Sequence, residues 1–327
     1  MTPPKSVSSP GDGQTADATS GINALQHAST IGTARRAAIQ ALRAGDVPDA
    51  AQDARILLAH AAQVDSAQAA FADAVAITPA VAETLATAIT RRLAGEPTTR
   101  ITGVRGFMDV MLDLTPDVLD PRPDTEVIVD RVVHAAAHWP RDGSDGGREQ
   151  RPLLLDLGTG SGAITVGALT QAPLTHWHGI GTDVSLAALR VARRNAVANG
   201  LAARTAWVCG DWLTCFESTA RAAIIVSNPP YICSNAIDTL DREVRCHDPR
   251  AALDGGHDGL TAYRAIIGAA APRLLPGGHL ILEIGADQAP DVGNLITGMS
   301  EARGLSEPVV HRDLAGRDRC VHTQKVG

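Results

Sequence analysis

The first third of the chain carries apolar residues at helical spacing and shows no strand-like alternation before residue 100. Three helices are predicted there, over residues 33–42, 49–62 and 78–93. The third begins with Thr78 as its N-cap and Pro79 at the first helical position. Residues 1–22 have almost nothing to bury, so they are predicted to form a flexible tail. Residues 23–100 are predicted to form a small helical domain.

The pattern changes after residue 100. Between residues 101 and 120, apolar residues are spread among Gly and Asp, which indicates a β-hairpin linking two domains. A helix is predicted from Thr125 to Ala137, followed by a polar, glycine-rich loop at residues 139–148. From Pro152 onward, short apolar runs alternate with helical stretches. The strands are predicted at residues 153–155, 178–183, 206–208, 223–227 and 279–283.

This alternation of strands and helices predicts a parallel, doubly wound α/β sheet, because strands that are apolar throughout must be covered on both faces. Ser185 is predicted to cap the helix that follows the second strand and runs to Asn199. Two last strand candidates, at Val309-Val310 and Cys320-Val321, have no helical pattern between them. We expect these two to pair as an antiparallel edge of the sheet.

Composition narrows the class of protein. Hydrophobic residues make up 44% of the 327 residues and aromatic residues only 3%, so a sizeable, mainly aliphatic core is expected. The 29 basic and 36 acidic residues leave a net charge of −7, which argues against a nucleic-acid binder. Five cysteines without a C-x-x-C pair favour reduced thiols. Because there is neither a secretory signal nor a long apolar stretch, we expect a cytoplasmic protein that does not span a membrane.

A glycine-rich segment, Asp-Leu-Gly-Thr-Gly-Ser-Gly at residues 156–162, follows the first predicted strand of the sheet and opens a helix. Glycines there allow a tight turn and a close approach to a ligand, which predicts a nucleotide-like cofactor at the carboxyl ends of the strands. Asp183, after the next strand, suits ribose hydroxyls. Judged from this segment alone, NAD and S-adenosylmethionine are almost equally compatible.

The segment Asn228-Pro229-Pro230-Tyr231 follows the fourth predicted strand and decides between them. The prolines hold the backbone extended, so the Asn228 side-chain oxygen and the Pro229 carbonyl can accept both hydrogens of a planar NH₂ group. Tyr231 supplies an aromatic face for that group. A receptor for an amide or an exocyclic amine has no evident use in hydride transfer, so the segment favours S-adenosylmethionine.

Together, these two segments resemble those of S-adenosylmethionine-dependent amino methyltransferases. Asn-Pro-Pro-Tyr is shared by DNA adenine methyltransferases and by the glutamine methyltransferases of peptide chain release factors. The run Pro-Arg-Pro-Asp-Thr-Glu at residues 121–126, behind a helical domain, resembles the release factor enzymes and is not shared by the DNA enzymes. Residues 248–253 and 313–318 agree with the same family. Gly106 and Asp120 depart from its usual pattern.

The resemblance implies a Rossmann-like, seven-stranded class I methyltransferase sheet at residues 121–327, preceded by a hairpin linker at 101–120. The helical domain at 23–100 would help to dock the protein substrate. The implied contacts to S-adenosylmethionine are made by Gly158, Thr159, Gly160, Ser161, Gly162, Asp183, Trp212 and Asn228. The implied catalytic and substrate-binding residues are Asn228, Pro229, Pro230 and Tyr231. Taken on its own, the Asp211-Trp212 pair could equally well cap and pack the end of a strand.

The activity implied is methyl transfer to the side-chain amide nitrogen of the glutamine in the Gly-Gly-Gln motif of release factors. Direct binding to nucleic acid or to a membrane is not expected. The alternative is a DNA adenine-N6 methyltransferase that grips a flipped base with the same tetrapeptide. The net charge of −7 and the scarcity of aromatic residues disfavour that alternative.

The remaining polar residues carry weaker signals. The eleven histidines show no metal-binding spacing, so no metal is expected. Asp124 is predicted to pair with Arg122, and Glu126 to begin a helix, where the helix dipole favours an acidic residue.

Overall fold

A computed structural model describes residues 20–140 and 151–326, which divide into two units between Thr102 and Gly103. The tail predicted at residues 1–22 lies outside the described residues as far as residue 19, and for residues 20–22 the prediction is wrong because they begin a helix that buries Gly21. The loop predicted at residues 139–148 lies outside them from residue 141 onward. None of the helices in the described part of the chain has the length and hydropathy needed to cross a bilayer.

The first unit is helical. After a helical segment at residues 20–26, its helices are α1 (Ile31–Ala44), α2 (Ala50–Ala62), α3 (Ser66–Phe71), α4 (Pro79–Leu93) and α5 (Thr98–Thr102). All three predicted helices are confirmed, and the first begins earlier than expected because Thr30 serves as its N-cap. Leu42, Leu57 and Leu85 are fully buried among these helices and give the unit its own core.

The second unit contains two sheets. Its strands are β1 (Val104–Phe107), β2 (Val110–Asp113), β3 (Leu153–Leu157), β4 (His178–Asp183), β5 (Thr205–Cys209), β6 (Ala222–Ser227), β7 (Leu274–Glu283), β8 (Val309–Arg312) and β9 (Asp318–Gln324). Among the described residues, β3 to β9 form one seven-stranded sheet of order β5-β4-β3-β6-β7-β9-β8. Strands β3 to β7 are parallel, whereas β9 runs antiparallel to both β7 and β8. The predicted sheet and its antiparallel edge pair are confirmed.

Helices cover both faces of this sheet. The helices of this unit are α6 (Glu126–Ala137), α7 (Ala163–Leu169), α8 (Leu186–Ala198), α9 (Arg242–His247), α10 (Thr261–Ala270) and α11 (Ala289–Arg303), of which α9 contributes no buried residue. Successive strand residues point to opposite faces, so Leu154 joins the core under α6 and α7, and Leu155 joins the core under α10 and α11. Two covered faces explain why most positions of the central strand β6 and of β3 are apolar.

The hairpin β1–β2 belongs to the second unit. Its strands occupy residues 104–113 of the predicted 101–120 segment, while residues 101 and 102 end helix α5. Asn195 on α8 holds the hairpin: its side-chain oxygen accepts from the Asp113 amide at 2.7 Å, and its Nδ2 donates to the Asp113 carbonyl at 3.2 Å. The same Nδ2 donates to the Ser161 carbonyl at 2.8 Å. Asn195 therefore connects the hairpin to the glycine-rich segment.

Candidate active site

The register of the parallel strands brings four chemically important residues into one row. Leu157 at the end of β3 pairs with Thr182 on one side and with Ser227 on the other, and Ser227 pairs in turn with Leu282. The residues that follow Thr182, Leu157, Ser227 and Leu282 are Asp183, Gly158, Asn228 and Glu283. These four residues therefore lie side by side along the edge of the sheet. This row lies at the carboxyl edge of the strands, on both sides of the central β3, where open α/β sheets bind ligands.

The glycine-rich segment turns sharply beside this row. Gly158, Gly160 and Gly162 all have positive φ angles, of 67°, 55° and 79°, which side-chain-bearing residues rarely adopt. A Cβ at Gly162 would lie 3.1 Å from the Ala192 and Trp207 side chains, so that glycine is needed for packing. A Cβ at Gly160 would meet no atom within 4 Å. The segment thus faces open space at Gly160, which leaves room for a ligand.

Hydrogen bonds within the protein hold the segment in shape. The Thr159 amide donates to the Thr182 carbonyl at 2.8 Å, and the Gly160 amide donates to Asp183 Oδ2 at 3.0 Å. Asp183 Oδ1 accepts from the Ser185 amide at 2.8 Å, at the start of α8. The carboxylate of Asp183 therefore lies at the lip of the glycine-rich segment, in contact with Gly160.

Asp156 supports the segment from beneath. It is fully buried, and its Oδ2 accepts from the Thr159 hydroxyl at 2.6 Å and from the Thr165 hydroxyl at 2.9 Å. Burial raises the pKa of Asp156 to about 6, and hydrogen bonds from the two hydroxyls oppose that rise. The carboxyl group links the first turn of α7 to the segment.

Trp212 lies against Gly158. Its φ angle is +48°, and a Cβ at Gly158 would lie 3.2 Å from the indole ring. The ring packs on the core under α10 and α11, together with Leu157 and Leu213. The absence of a side chain at residue 158 is what allows the indole to approach the segment.

The Asn-Pro-Pro-Tyr backbone is pinned from behind. The Ile232 amide donates to the Leu253 carbonyl at 3.0 Å, and Gln288 Nε2 donates to the Tyr231 carbonyl at 3.1 Å. Gly259 packs so closely that a Cβ there would lie 2.5 Å from the Tyr231 carbonyl oxygen. Neighbouring groups, and not the prolines alone, therefore hold the Tyr231 carbonyl and the end of the tetrapeptide in place.

The Asn228 carboxamide points toward the next strand. Its Nδ2 donates to the Thr125 hydroxyl at 3.3 Å. Thr125 and Asn228 both lie near the Glu283 carboxyl, which is only 2% exposed, and each favours its ionised form. Glu283 Oε2 has no hydrogen-bond partner among the described residues. Burial raises the pKa of Glu283 to about 7, against the lowering effect of Thr125, Arg319 and Asn228.

A cavity of about 190 Å³ opens beside Asn228. Its lining residues are Leu119, Arg122, Asn228, Tyr231, Ile232, Leu240, Val244, Ala252, Leu253 and Glu283. Ordinary ligand pockets occupy roughly 300–1,000 Å³, so this one suits a single side chain. Burial raises the pKa of Tyr231 to about 12, which keeps its hydroxyl protonated at neutral pH.

The predicted pair of Asp124 with Arg122 is wrong. Arg122 Nη2 instead lies 2.6 Å from Asp248 Oδ2, and Asp124 Oδ2 lies 2.8 Å from Arg319 Nη2. Each arginine takes a carboxylate that is distant in sequence, which local spacing cannot reveal. Glu126 does begin α6, and its Oε1 also accepts from the Met108 amide of the β1–β2 turn at 3.2 Å.

Asp120, one of the two departures from the family pattern, has Arg105 as its charged partner. Asp120 is buried, with a relative exposure of 6%, and its Oδ1 lies 3.6 Å from Arg105 Nε. The pair therefore sits between the hairpin and the segment that leads to Arg122. The departure at Gly106 lies on β1, and a Cβ there would come no closer than 3.7 Å to Met111 Sδ.

The sequence-predicted residues thus form two neighbouring groups. Asp183 contacts the glycine-rich segment at Gly160 and Trp212 contacts it at Gly158, whereas Asn228 and Tyr231 line the small cavity. Thr125 and Glu283 were missed, although Glu283 ends a predicted strand and Thr125 lies in a run quoted for the family resemblance. Within the described ranges, no group of three or more His, Cys, Asp or Glu side chains is arranged to hold a metal ion.

Known proteins match both units. Residues 33–103 match the family model of the PrmC N-terminal domain, and residues 148–243 match that of the methyltransferase small domain. A release factor glutamine methyltransferase of Bradyrhizobium diazoefficiens is 42% identical over 297 residues, which cover 91% of this chain and 95% of that protein. One from Cereibacter sphaeroides is 41% identical, with coverage of 88% and 96%.

A solved structure of the release factor-specific protein-(glutamine-N5) methyltransferase of Alicyclobacillus acidocaldarius is also similar. It is 26% identical and covers 66% of this chain and 99% of its own, with a TM-score of 0.38. Family membership follows from the two full-length relatives, because each is more than 40% identical and nearly all of its length is matched.

Proposed function

The chain belongs to the release factor glutamine methyltransferases, and we propose that it methylates the side-chain amide nitrogen of the glutamine in the Gly-Gly-Gln motif of peptide chain release factors. The methyl donor is S-adenosylmethionine. The observation that carries the proposal is the position of Asn228, which lies next to Gly158 in the row at the sheet edge and also lines a cavity sized for one side chain.

The residues around Gly160 fit the methyl donor. Open space at Gly160 leaves room for the methionine part beside Gly158 to Gly162. Asp183, already oriented by the Gly160 and Ser185 amides, would accept from the ribose hydroxyls. Trp212 would lie beside the adenine, since its indole is held against Gly158. When bound, S-adenosylmethionine supplies a methyl group on a positively charged sulfur that is already reactive toward nitrogen.

The chain's own task is to grip and aim a poor nucleophile. The lone pair of a carboxamide nitrogen is delocalised into its carbonyl group. Asn228 Oδ1 and the Pro229 carbonyl would accept the two N–H groups of the substrate amide, while Tyr231 packs against its flat face. These acceptors stabilise positive charge as it develops on the nitrogen, so they act mainly in the transition state. Alignment of two bound reactants accounts for roughly 7–11 kcal/mol of barrier.

A dedicated general base is not part of this proposal. Once the nitrogen has been alkylated, its proton becomes acidic and leaves readily. The hydrogen-bond acceptors at residues 228 and 229 therefore serve to bind and orient the amide. Pro230 has a fixed φ angle and restricts Pro229 before it to an extended conformation, which limits the directions open to the Pro229 carbonyl.

The helical unit would contribute to binding the protein substrate. Residues 33–103 match a domain that the family carries in front of its methyltransferase domain. We assign to it a docking role for release factors, with the glutamine inserted at Asn228. A cytoplasmic location, expected from the cysteine content and from the lack of a secretory signal in the sequence, stays a prediction.

A parallel labelling assay tests the proposed activity. The purified chain is incubated with tritiated methyl donor and, separately, with a release factor, with DNA and with tRNA. Label should enter the release factor and be lost when the Gly-Gly-Gln glutamine is replaced by alanine. Label on DNA alone would instead support the adenine methyltransferase alternative and overturn the proposal.

A further inference from the structure

The Asn228 carboxamide has a problem of orientation. The oxygen and nitrogen ends of the carboxamide are nearly equal in shape, but Oδ1 only accepts hydrogen bonds and Nδ2 only donates them. A substrate amide that presents two N–H groups needs Oδ1. If the carboxamide turned over, two donors would face each other and the grip on the substrate would be lost. Some neighbour must therefore hold the two arms in one order.

Thr125 contacts Nδ2, the end of the carboxamide that the substrate amide does not need. Asn228 Nδ2 donates to the Thr125 hydroxyl at 3.3 Å. Thr125 precedes α6 at its N-cap position, where a threonine hydroxyl ordinarily accepts from a helix amide, but here it makes no such bond. Thr125 is 97% buried, and its hydroxyl contacts Asn228 instead of a helix amide. A hydroxyl can both donate and accept, however, so Thr125 alone does not select an orientation.

Glu283 removes this ambiguity. An ionised carboxylate can only accept hydrogen bonds, and this one lies beside Asn228 on the adjacent strand, where Thr125 and Asn228 both favour its ionised form. The single hydroxyl proton of Thr125 is therefore directed to Glu283. The oxygen lone pairs of Thr125 are then left to receive Asn228 Nδ2. The order of donors becomes Asn228 to Thr125 to Glu283, and Oδ1 is turned away from both.

We propose that Thr125 and Glu283 are positioning residues, which hold the Asn228 carboxamide with Oδ1 presented to the substrate amide. This inference rests on the proposed glutamine methyltransferase activity. Both residues act through Asn228, and neither is required to bind the methyl donor. The register supports the assignment, because pairing of Ser227 with Leu282 places Asn228 beside Glu283 on adjacent strands.

Charged and titratable neighbours determine when Glu283 can act as an acceptor. Arg319 on β9 favours its ionised form, and Asp124 disfavours it. Tyr231, Tyr263 and Cys320 also face it, and burial raises the pKa of each, so all three are neutral near pH 7. Because the pKa of Glu283 is about 7, the ordered hydrogen bonds from Asn228 to Thr125 and from Thr125 to Glu283 should form as the pH rises through 7 and be lost at lower pH.

The first test removes only the Thr125 hydroxyl. Thr125→Val should lower kcat at least tenfold and weaken binding of a Gly-Gly-Gln peptide in the presence of S-adenosylhomocysteine. The affinity for S-adenosylhomocysteine alone, measured by calorimetry, should stay within about twofold. Thr125→Ser keeps the hydroxyl and should recover most of the loss. Thr323→Val is the matched control. It removes another buried hydroxyl, which donates to the Ser306 carbonyl and makes no contact with Asn228.

A double-mutant cycle separates positioning from general support of the fold. In an Asn228→Ala background there is no carboxamide to orient, so Thr125→Val should have almost no further effect on kcat. An equal loss from Thr125→Val in both backgrounds would overturn the proposal. Wild-type activity in Thr125→Val, with the peptide still methylated, would overturn it as well.

The second test uses pH. Wild-type kcat should fall with a slope of one as the pH drops below about 7, and Glu283→Gln should lose that acidic limb. Retention of the same acidic limb in Glu283→Gln would contradict the role of Glu283. If the wild-type chain methylates no glutamine peptide at any pH, the proposed function fails instead, so the two failures are distinguishable.

Discussion

At the scale of single residues, the site depends on groups that are costly to bury. Asp156 and Glu283 are both almost fully buried at strand ends, and burial raises their pKa values to about 6 and about 7. Asp156 Oδ2 accepts from the Thr159 and Thr165 hydroxyls, whereas Glu283 Oε2 has no hydrogen-bond partner among the described residues. Such carboxyl groups weaken the fold at neutral pH, which points to a role in the chemistry of the site.

This cost can be measured through pH. Glu283 has an ordinary pKa of 4.5 and one of about 7 when folded, so the folded state retains a proton that the unfolded state loses. Stability from this group is therefore complete below about pH 4.5 and is lost as the pH rises through 7. Glu283→Gln removes the effect. Relative to wild type, its free energy of unfolding should increase with pH across this window, by up to about 3 kcal/mol.

Urea unfolding of wild type and Glu283→Gln at several pH values checks this expectation. Other titrating groups are common to both proteins and cancel in the difference. A difference that stays constant between pH 4.5 and 8 would mean that Glu283 ionises normally in the folded state.

Gly160→Ala should separate binding from stability. The φ angle of +55° is unfavourable for alanine by about 1–2 kcal/mol, but the new Cβ meets no protein atom within 4 Å. It would instead occupy the space assigned to the methyl donor. We expect a modest loss of stability and at least a tenfold loss of affinity for S-adenosylhomocysteine, measured by calorimetry.

Gly200→Ala is the control for that substitution. Gly200 has a φ angle of +73° and also has open space around its Cβ position, but it lies past the end of α8, away from the site. It should lose similar stability and keep its affinity. Equal affinities in both variants would show that the ligand does not lie over Gly160.

At the scale of secondary-structure elements, the position of the tetrapeptide depends on a loop that packs behind it. Gly259 has the same φ angle as Gly200, +73°, but a Cβ there would lie 2.5 Å from the Tyr231 carbonyl oxygen. Gly259→Ala should therefore displace residues 228–231, and a shift of about 1 Å can cost roughly 100-fold in rate. Steady-state kinetics with a glutamine peptide should show a much larger fall in kcat than Gly200→Ala shows.

Much of the fold was predictable from sequence. Helical spacing, caps such as Thr78 and apolar strands are local signals, so the three helices of the first unit and the strands of the sheet were found. The helices Ser66–Phe71, Arg242–His247, Thr261–Ala270 and Ala289–Arg303 were not among the predictions, and β7 begins five residues before its predicted start. Partners that depend on the parallel register were not found. The pairing of Ser227 with Leu282 brings Glu283 to Asn228, and Arg122 pairs with Asp248 across 126 residues of sequence. Long-range register has no local signature, which is why Thr125 and Glu283 were missed.

At the scale of the whole molecule, two units with separate cores suggest separate tasks. Residues 103–327 contain the glycine-rich segment, the tetrapeptide and both layers of helices on the sheet. A chain starting at residue 103 should therefore fold, bind S-adenosylhomocysteine normally and methylate a short Gly-Gly-Gln peptide. Its KM for an intact release factor should rise roughly tenfold or more, equivalent to about 1.4 kcal/mol of lost docking energy.

Comparison of the two substrates tests the docking role. If KM rises equally for peptide and intact release factor, then the helical unit supports the catalytic unit rather than binding the substrate. An unchanged KM for both substrates would remove the unit from recognition altogether.

The grip of Asn228 on a glutamine amide is tested most directly by locating the methyl group. A release factor is treated with wild type or Asn228→Ala and S-adenosylmethionine, and its peptides are sequenced by mass spectrometry. Wild type should add one methyl group to the side chain of the Gly-Gly-Gln glutamine. Asn228→Ala should add it at least roughly 100-fold more slowly while binding S-adenosylhomocysteine as tightly as wild type. Methylation at another residue, or an undiminished rate in Asn228→Ala, would contradict the account.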